Sequence, residues 1–413
     1  MLKRVLLYSS LVSVATISTA LSGEYNTLSD AIKNGKASFD MRYRYERVDI
    51  PDSGKHDAKA STLRTRLKYQ TAKYNDLQGN IQFENVSVID IGGEYNSTLN
   101  GETSYDTIAD PEGTELNMAN IVYYGIKDTE IKLGRQFINF DNQRFVGEVG
   151  FRQNNQTFDA ATLTNKSLKH TNLTYSFVRN VNTVKRASDA MESHLINLSH
   201  DCPKIGKLSV YDYLLDYDSL AKDDSQTYGI RLTGNTKLKK AKLLYTLEAA
   251  EQVDYKDETN DMNNNYSLSY SLLELGASGY GLTVKAGMES LEGDTNRSRS
   301  FQTPLATGHK FNGWADLFLT TPTGGLDDNY IVASYQFNNS TMLSGLKAKV
   351  IYHRFSAEQE SVNSKLYGTE TDFVISKQIN KNYAISFISA DFDTDSSSYN
   401  DTRKYWATLN IKF

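Results

Sequence analysis

The chain has 413 residues, of which 39% are hydrophobic, and its mean hydropathy is −0.52. No run of about 20 consecutive apolar residues occurs, which excludes a bundle of membrane-spanning helices. The net charge is −5, and this argues against nucleic acid as a partner, because binding to phosphates requires a basic face. The single cysteine, Cys202, excludes a disulfide scaffold and Cys-rich zinc sites.

Residues 1–20 have the pattern of a secretory signal peptide. Lys3 and Arg4 are followed by an apolar run from Val5 to Ile17 and by small residues that end at Ala20. We expect cleavage after Ala20, with Ser22 as an alternative position. Residues 21–413 then form a single exported domain. The alternative is a frayed apolar N-terminus of a cytosolic protein.

The next segment predicts a short helix from Leu28 to Asn34 that Gly35 stops. Strands follow, since in Lys36–Glu46 every odd position is apolar and every even position is polar. About 18 runs of this kind occur, each of roughly 10–13 residues, which is the length of a tilted membrane-spanning strand. Further apolar phases of this period are Leu63–Tyr69, Leu243–Ala249, Tyr266–Leu272, Leu282–Met288 and Leu346–Tyr352.

The connections between the predicted strands alternate between long and short. The long ones are near Asp49–Lys59, Asp90–Thr114, Asn139–Asn155, Val181–Met191, Asp254–Asn263, Glu292–Asp327 and Asp393–Thr402. The short ones are near Tyr74–Asp76, Lys127–Asp128, Pro203–Gly206, Asn235–Lys239, Gly276–Gly279 and Lys381–Asn382. This asymmetry is typical of outer-membrane barrels, which have short periplasmic turns and long extracellular loops.

The last strand ends on an aromatic residue, with Tyr405, Ala407, Leu409, Ile411 and Phe413 at alternate positions. We therefore predict an all-β fold, a transmembrane antiparallel β-barrel of about 18 strands with a short N-terminal helix and long extracellular loops. Its apolar face would meet outer-membrane lipid and lipopolysaccharide, and the barrel assembly machinery would bind it through Phe413. The alternative is a secreted β-sandwich or solenoid that buries its apolar faces in a core.

Two long motifs resemble the alginate-export family of outer-membrane porins, especially its shorter marine proteobacterial members. They read LGRQFINFDNQRFVGEVGFRQNNQTFD at Leu133–Asp159 and FQTPLATGHKFNGWADLFLTTP from Phe301. Shorter segments that share the likeness are Ser61–Leu67, Phe83–Val86, Ala109–Glu115 and Tyr228–Gly234. The resemblance implies an 18-stranded barrel whose arginine-rich lumen passes anionic polyuronate. The chain is shorter than the dedicated exporters, so the likeness supports a porin more firmly than alginate as the solute.

If the apolar phase faces lipid, the opposite phase lines the lumen. On the first two strands this phase carries Arg42, Arg44, Arg64 and Arg66. Arginines in a narrow pore favour the passage of carboxylates or phosphates. The alternative is that the lumen charges pair with one another across strands and only keep the lumen wet.

The motif loop Asn139–Asn155 is predicted either to fold into the barrel and form a constriction or to build a rigid extracellular cap. Gly147 and Gly150 would supply its tight bends. The candidate constriction residues in and just before this loop are Arg135, Asp141, Gln143, Arg144, Arg152 and Gln153.

The longest loop carries Asn312, Trp314 and Asp316, which are candidates for contact with a solute. Trp314 could stack on a sugar ring, or it could pack against the barrel rim. The aspartates from Asp391 to Asp395 begin like a calcium loop but lack its Gly and Glu, so no metal site is expected.

The sequence contains no catalytic motif, and we expect neither a cofactor nor an enzymatic activity. The predicted function is an outer-membrane porin for passive diffusion of small hydrophilic, anionic solutes, including uronate oligosaccharides or exported alginate. The alternatives are a non-conducting structural or adhesion barrel and a hydrolase with a catalytic site at the rim.

Overall fold

The computed structural model describes residues 25–89, 93–219, 224–255, 266–337, 343–359 and 365–413. The predicted signal peptide lies outside these ranges, as do parts of the predicted loops Asp90–Thr114 and Asp254–Asn263. No helix within the described ranges is long and apolar enough to cross a membrane.

A single α-helix among the described residues precedes the strands. Helix α1 spans Leu28–Lys33, and the Thr27 hydroxyl caps it by accepting a hydrogen bond from the Asp30 N–H at 3.1 Å. The helix ends as predicted before Gly35. A side chain at Gly35 would collide with the ring of Tyr69, so this position requires a glycine because of a close approach.

The strands follow α1 to the end of the chain. In chain order they are β1 Lys36–Asp49, β2 Ala58–Gln70, β3 Leu77–Val88, β4 Gly113–Tyr123, β5 Thr129–Gln136, β6 Thr157–Asn165, β7 Thr171–Asn182, β8 Ser188–Cys202, β9 Gly206–Leu215, β10 Ser225–Lys237, β11 Lys242–Val253, β12 Ser267–Gly279, β13 Leu282–Leu291, β14 Gly293–Asp294, β15 Arg299–Ser300, β16 Leu326–Gln336, β17 Leu346–Ser356, β18 Leu366–Gln378, β19 Tyr383–Thr394 and β20 Thr402–Lys412.

Eighteen of these strands form one closed antiparallel sheet. Successive strands pair with each other, and the ring closes because β1 pairs with both β2 and β20. Met41, for example, lies between Thr65 of β2 and Ile411 of β20. The two-residue strands β14 and β15 pair only with each other, within a connection. The predicted 18-stranded barrel is confirmed.

The alternation of residues separates an outward from an inward face. On β1, Tyr43 and Tyr45 are 37% and 38% exposed, whereas Arg44 and Glu46 are only 3% and 1% exposed. Because residues that lie directly opposite on neighbouring strands share a face, this assignment extends around the ring. The arginine phase of β1 and β2 is therefore the inward, lumen-facing one.

The sequence interpretation of β12 was wrong. The phase Tyr266–Leu272 is apolar and was assigned to lipid, but Leu268 and Tyr270 are buried inside the barrel. The outward residues are Leu273 and Leu275, preceded by serines. The inward phase of β12 is apolar because aromatic side chains of inward-folded loops cover it, and Phe145 lies 5.3 Å from the Tyr270 ring.

The connections are mostly short at one end of the barrel, the short-turn end, and mostly long at the other, the long-loop end; residues 337–345 are the longer exception at the short-turn end. One predicted turn was misplaced, since β12 continues through Gly276 to Gly279 and the turn uses Tyr280 and Gly281, both at positive φ. Gly276 occurs inside the strand because the Lys285 side chain crosses over it.

Whether a bilayer surrounds the outward apolar face can be tested by introducing a lysine at two different depths in that bilayer. Leu247 lies in the middle of β11 and is 46% exposed, while Leu238 lies in the short turn after β10 and is 55% exposed. Leu247→Lys should lower the free energy of unfolding in phospholipid vesicles by about 2–4 kcal/mol, and Leu238→Lys by at most about 1 kcal/mol. Equal losses for the two variants would contradict a bilayer around this face.

Candidate functional site inside the barrel

The motif loop folds inward and lies against the lumen face of β1 and β2. We define residues 137–156, between β5 and β6, as the first inner loop. The Arg42 guanidinium donates hydrogen bonds to the carbonyl oxygens of Gly150 and Phe151, each at 3.0 Å. The Gln153 amide donates to the hydroxyl of Thr62 on β2 at 2.8 Å. These contacts anchor the far end of the loop to the barrel wall.

A second loop lies against the wall on the other side of β1, along strands β13 to β20. We define residues 301–325, between β15 and β16, as the second inner loop. The Ala315 N–H donates to a carboxylate oxygen of Glu370 on β18 at 2.8 Å. The Asn312 amide donates to Glu289 on β13 at 2.6 Å.

The two inner loops are joined to each other. The Gly147 N–H donates to the Leu305 carbonyl at 2.9 Å, and the Thr307 hydroxyl donates to the Gln143 side chain at 2.8 Å. The Arg144 guanidinium donates to the Asn312 side-chain oxygen at 2.9 Å. The loops thus form one internal structure that is attached to the wall on several sides.

An aromatic cluster fixes this structure to β9 and β12. The ring centroid of Phe145 lies 5.1 Å from Tyr211, 5.3 Å from Tyr270 and 6.1 Å from Phe301. All four side chains are buried. The interior of the barrel therefore contains a hydrophobic core. The sequence predicts a water-filled lumen and does not indicate this core.

Arg144 and Arg152 form buried ion pairs with the barrel wall. The Arg144 Nε donates to Glu289 at 2.8 Å, and an Arg152 Nη donates to Glu46 on β1 at 3.0 Å. Burial by itself would lower the pKa of Arg144, but the Glu289 carboxylate outweighs burial and raises it. Glu46 has the same net effect on the pKa of Arg152. Both guanidinium groups are therefore charged.

Asp316 is the junction of the second inner loop with β20 and with the first inner loop. Its carboxylate accepts hydrogen bonds from His309 at 2.7 Å, from Arg152 at 3.0 Å and from Lys404 at 3.1 Å. Burial would raise the pKa of Asp316, but His309, Lys404 and Arg152 together hold it well below its ordinary value. Lys404 was not identified from the sequence, although it occupies the inward phase of the last strand.

Arg42, Arg44, Arg64 and Arg66 cluster on the lumen face of β1 and β2. Arg64 donates to Asp40 at 2.6 Å, and Arg66 bonds to Glu84 and to Asn155 of the first inner loop. The Arg44 guanidinium lies 4.3 Å from the ring centroid of Phe151 and 4.0 Å from Asp110.

These arginines are not fully satisfied by the rest of the described chain. Nε and one Nη of both Arg44 and Arg64 are buried and have no hydrogen-bond partner there. The side-chain oxygen of Gln153 and Oδ2 of Asp110 likewise have no hydrogen-bond partner in the described ranges, although Asp110 Oδ2 lies within ion-pair distance of Arg44 and Arg152. Buried donors and acceptors of this kind are usually met by water or by a ligand.

Asp141 anchors the beginning of the first inner loop to the opposite wall. Its carboxylate accepts from Ser209 at 2.6 Å, Asn197 at 2.8 Å and Lys207 at 3.0 Å. The bends of the loop occur at Asp141, Gln143 and Val149, which have positive φ.

Gly150 lies in a turn, as predicted for the loop glycines, but neither Gly147 nor Gly150 has a φ in the left-handed region. A side chain at Gly147 would collide with the Thr307 hydroxyl, so this glycine permits the contact between the two inner loops.

Arg135 does not belong to the lumen. It lies directly opposite Ala119, which in turn lies opposite the outward residue Ile81, so its row is on the outward face. There it pairs with Asp159 at 2.7 Å. The preceding residue, Gly134, lies opposite Asn120 and is the one in the lumen-facing phase. We therefore exclude Arg135 from the constriction.

Trp314 is inside the barrel and is only 7% exposed. The Lys349 ammonium lies 4.4 Å from its ring centroid, and the His309 ring is stacked at 6.3 Å. The ring is thus covered by protein inside the barrel. Both alternatives predicted for Trp314, stacking on a sugar ring and packing against the barrel rim, are therefore wrong. Within the described ranges no three His, Cys, Asp or Glu side chains are arranged to hold a metal ion.

No known family model and no curated protein sequence matches the chain, so the resemblance to the alginate-export family stays a prediction. Solved structures do match over nearly its whole length. OccAB4 of Acinetobacter baumannii has a TM-score of 0.71 and 13% identity, over 92% of this chain and 98% of that protein. OccK9 (OpdG) of Pseudomonas aeruginosa has a TM-score of 0.69 and 13% identity, over 93% of this chain and all of that protein.

OpdK of Pseudomonas aeruginosa, in a structure determined with vanillate, has a TM-score of 0.70 and 12% identity, over 92% of this chain and 99% of that protein. It is described as an outer membrane protein. At identities this low, the similarity shows that these proteins share the closed barrel fold.

The ion pairs of the inner loops should contribute strongly to stability. Arg144→Ala would leave the buried Glu289 carboxylate without its cation, and such a loss costs about 3–5 kcal/mol. The matched control is Arg179→Ala, which breaks the exposed pair with Glu192 and should cost less than about 1 kcal/mol. Urea unfolding of both variants in lipid would measure the difference, and similar costs would contradict a structural role for Arg144.

Proposed function

We propose that the chain is an outer-membrane channel through which small hydrophilic anions diffuse passively. The observation that carries this proposal is the arginine cluster on β1 and β2, inside a closed barrel with an apolar outward face. Four arginines, Arg42, Arg44, Arg64 and Arg66, are accompanied by three carboxylates, Asp40, Glu84 and Asp110, which leaves one net positive charge. In a pore, such a charge favours anions, and its effect is largest where water is excluded.

The fold and the comparisons support the same class of protein. Residues that cross hydrocarbon must pair all their backbone groups, and a closed barrel does so. OpdK has this fold, is an outer membrane protein and was determined with vanillate, a small carboxylate. Guanidinium groups bind carboxylates through two parallel hydrogen bonds, so a small carboxylate is a suitable solute. Uronate oligosaccharides and exported alginate remain proposals within this class.

The same proposal implies where in the cell the protein is located. Residues 1–20 would be removed as a signal peptide during export, and the barrel would be inserted into the outer membrane of a Gram-negative cell, facing lipid and lipopolysaccharide. The barrel assembly machinery would engage the last strand through Phe413, whose backbone pairs with Phe39 of β1 at 2.8 and 3.1 Å. A passive channel needs no catalytic residue or cofactor.

One observation favours a second function, a sealed structural barrel. The two inner loops are bound to each other and to the wall through buried ion pairs, and a wall held in this way could exclude solutes. Single-channel recordings in planar bilayers separate the two functions. Discrete open steps support the channel, whereas an intact inserted barrel without any steps supports the sealed form.

The anion preference can be tested through the charge of Arg64. In a gradient of potassium chloride, the wild-type channel should prefer chloride, and Arg64→Gln should lower the chloride-to-potassium permeability ratio by roughly twofold or more, because one lumen charge is lost. Arg403→Gln is the control, since Arg403 has the same charge but lies on the outward face, paired with Asp391. A cation preference of the wild-type channel would contradict the proposal, as would equal shifts for both variants.

A further inference from the structure

Three side-chain amides lie side by side on the lumen face of β2, β3 and β4. Gln70 lies directly opposite Asn80, and Asn80 lies directly opposite Asn120. Gln70 is in the same phase of β2 as the buried Arg64, which places the whole set on the inward face. We call Gln70, Asn80 and Asn120 the amide row. It lies toward the short-turn end of the barrel, beyond the arginine cluster.

Hydrogen bonds hold the amide row in one orientation. Gln70 donates to the Asn80 oxygen at 2.9 Å, and Asn80 donates to the Asn120 oxygen at 3.0 Å. Asn120 then donates to the backbone carbonyl of Arg135 at 2.8 Å. Each amide is polarised by its neighbour in such a chain, so its remaining hydrogen-bonding groups point in fixed directions.

The amide row has hydrogen-bonding capacity that the protein does not use. A side-chain amide offers two N–H donors and an oxygen with two lone pairs. Asn80 and Asn120 each donate a single hydrogen bond, and the Gln70 oxygen accepts none from the described chain. None of these amide atoms is among the buried side-chain atoms that are left without a partner. The unpaired Gln70 oxygen is therefore reached by solvent, and Gln70 and Asn80 are half-buried, whereas Asn120 is only 7% exposed and serves to orient Asn80.

Beside Asn120, the neighbouring strands carry small residues. Asn120 lies opposite Gly134, and Gly134 lies opposite Ala160. Gly134 is exposed, so solvent reaches the wall beside Asn120. The Gln136 amide donates to the carbonyl oxygens of Gly134 at 3.2 Å and of Ala160 at 2.9 Å. A solute that lies against this part of the wall would therefore meet the oriented amides of the row and the amide of Gln136.

We propose that the amide row is a contact site for polyhydroxylated solutes, which are sugars and polyols. Amides suit hydroxyl groups because both donate and accept hydrogen bonds. Neighbouring strands are about 4.8 Å apart, and this is close to the spacing of alternate equatorial hydroxyls on a pyranose ring. The proposal rests on the proposed channel function and adds to it a second class of solute, which is recognised without charge.

The test compares two neutral solutes of equal molecular mass, L-arabinose and triethylene glycol, which differ in their number of hydroxyls. Proteoliposome swelling would give the entry rate of each through the full-length barrel. Asn80→Leu/Asn120→Leu keeps the side-chain size but removes two amides. We expect it to lower the ratio of the arabinose rate to the glycol rate by about threefold or more, at an unchanged glycol rate.

Two further variants complete the experiment. Gln70→Met removes the free acceptor at the edge of the row and should lower the ratio in the same direction if the double variant does not fold. Asn235→Leu is the matched control, since Asn235 is an exposed residue in the inward phase of β10, on another part of the wall. It should leave the ratio unchanged.

The outcomes separate the two proposals. An unchanged ratio in both row variants would overturn the amide row as a sugar contact while the channel stands, and so would a parallel fall of both rates. Entry of neither solute into vesicles that contain folded wild-type barrel would overturn the channel function itself, and with it the inference.

Discussion

Hydrocarbon offers no hydrogen-bond partner, so every backbone N–H and C=O group that crosses it must be paired within the protein. The closed ring of strands pairs these groups between neighbouring strands. Because β1 pairs with β20 as well as with β2, no strand of the ring has a free edge. Once the ring is closed, the alternation of side chains divides every strand into two faces with different surroundings. The outward face must be apolar around its middle, while the inward face can carry any side chain that finds a partner inside.

The inward face of this barrel carries charges that are paired across long sequence distances. Arg144 and Arg152 of the first inner loop reach Glu289 and Glu46 on the wall, and Asp316 of the second inner loop reaches Lys404. A buried charge without a partner is costly, so each of these pairs restricts where a loop can lie. The loops are therefore fixed parts of the barrel interior, and they determine which wall residues a solute could meet.

The sequence predicted the barrel because its signal is local. Alternation within β1 and the length of the strands require no knowledge of distant residues, and both agree with the structure. The same argument failed at β12, where Leu268 and Tyr270 face inward. Alternation shows that a strand has an apolar phase, but it cannot show whether that phase meets lipid or another part of the same chain.

The arrangement inside the barrel depended on contacts that no local pattern reveals. The first inner loop was recognised as a unit, yet its partners Glu289 and Asn312 are more than a hundred residues away in sequence. Arg135 was placed in the lumen because it precedes this loop, and only its register with Ala119 showed that it faces outward. The amide row went unnoticed because its members belong to three strands and become neighbours through pairing.

The seam between β1 and β20 is bridged from the inside by both inner loops. Arg42 of β1 holds the carbonyls of the first inner loop, while on β20 Lys404 binds Asp316 and Trp406 packs against Phe151 and His309. A ring of strands is complete only when its first strand pairs with its last. The interior contacts couple this pairing to the docking of the loops, so a barrel that closes around misplaced loops would have only the backbone hydrogen bonds between β1 and β20 to join its two ends.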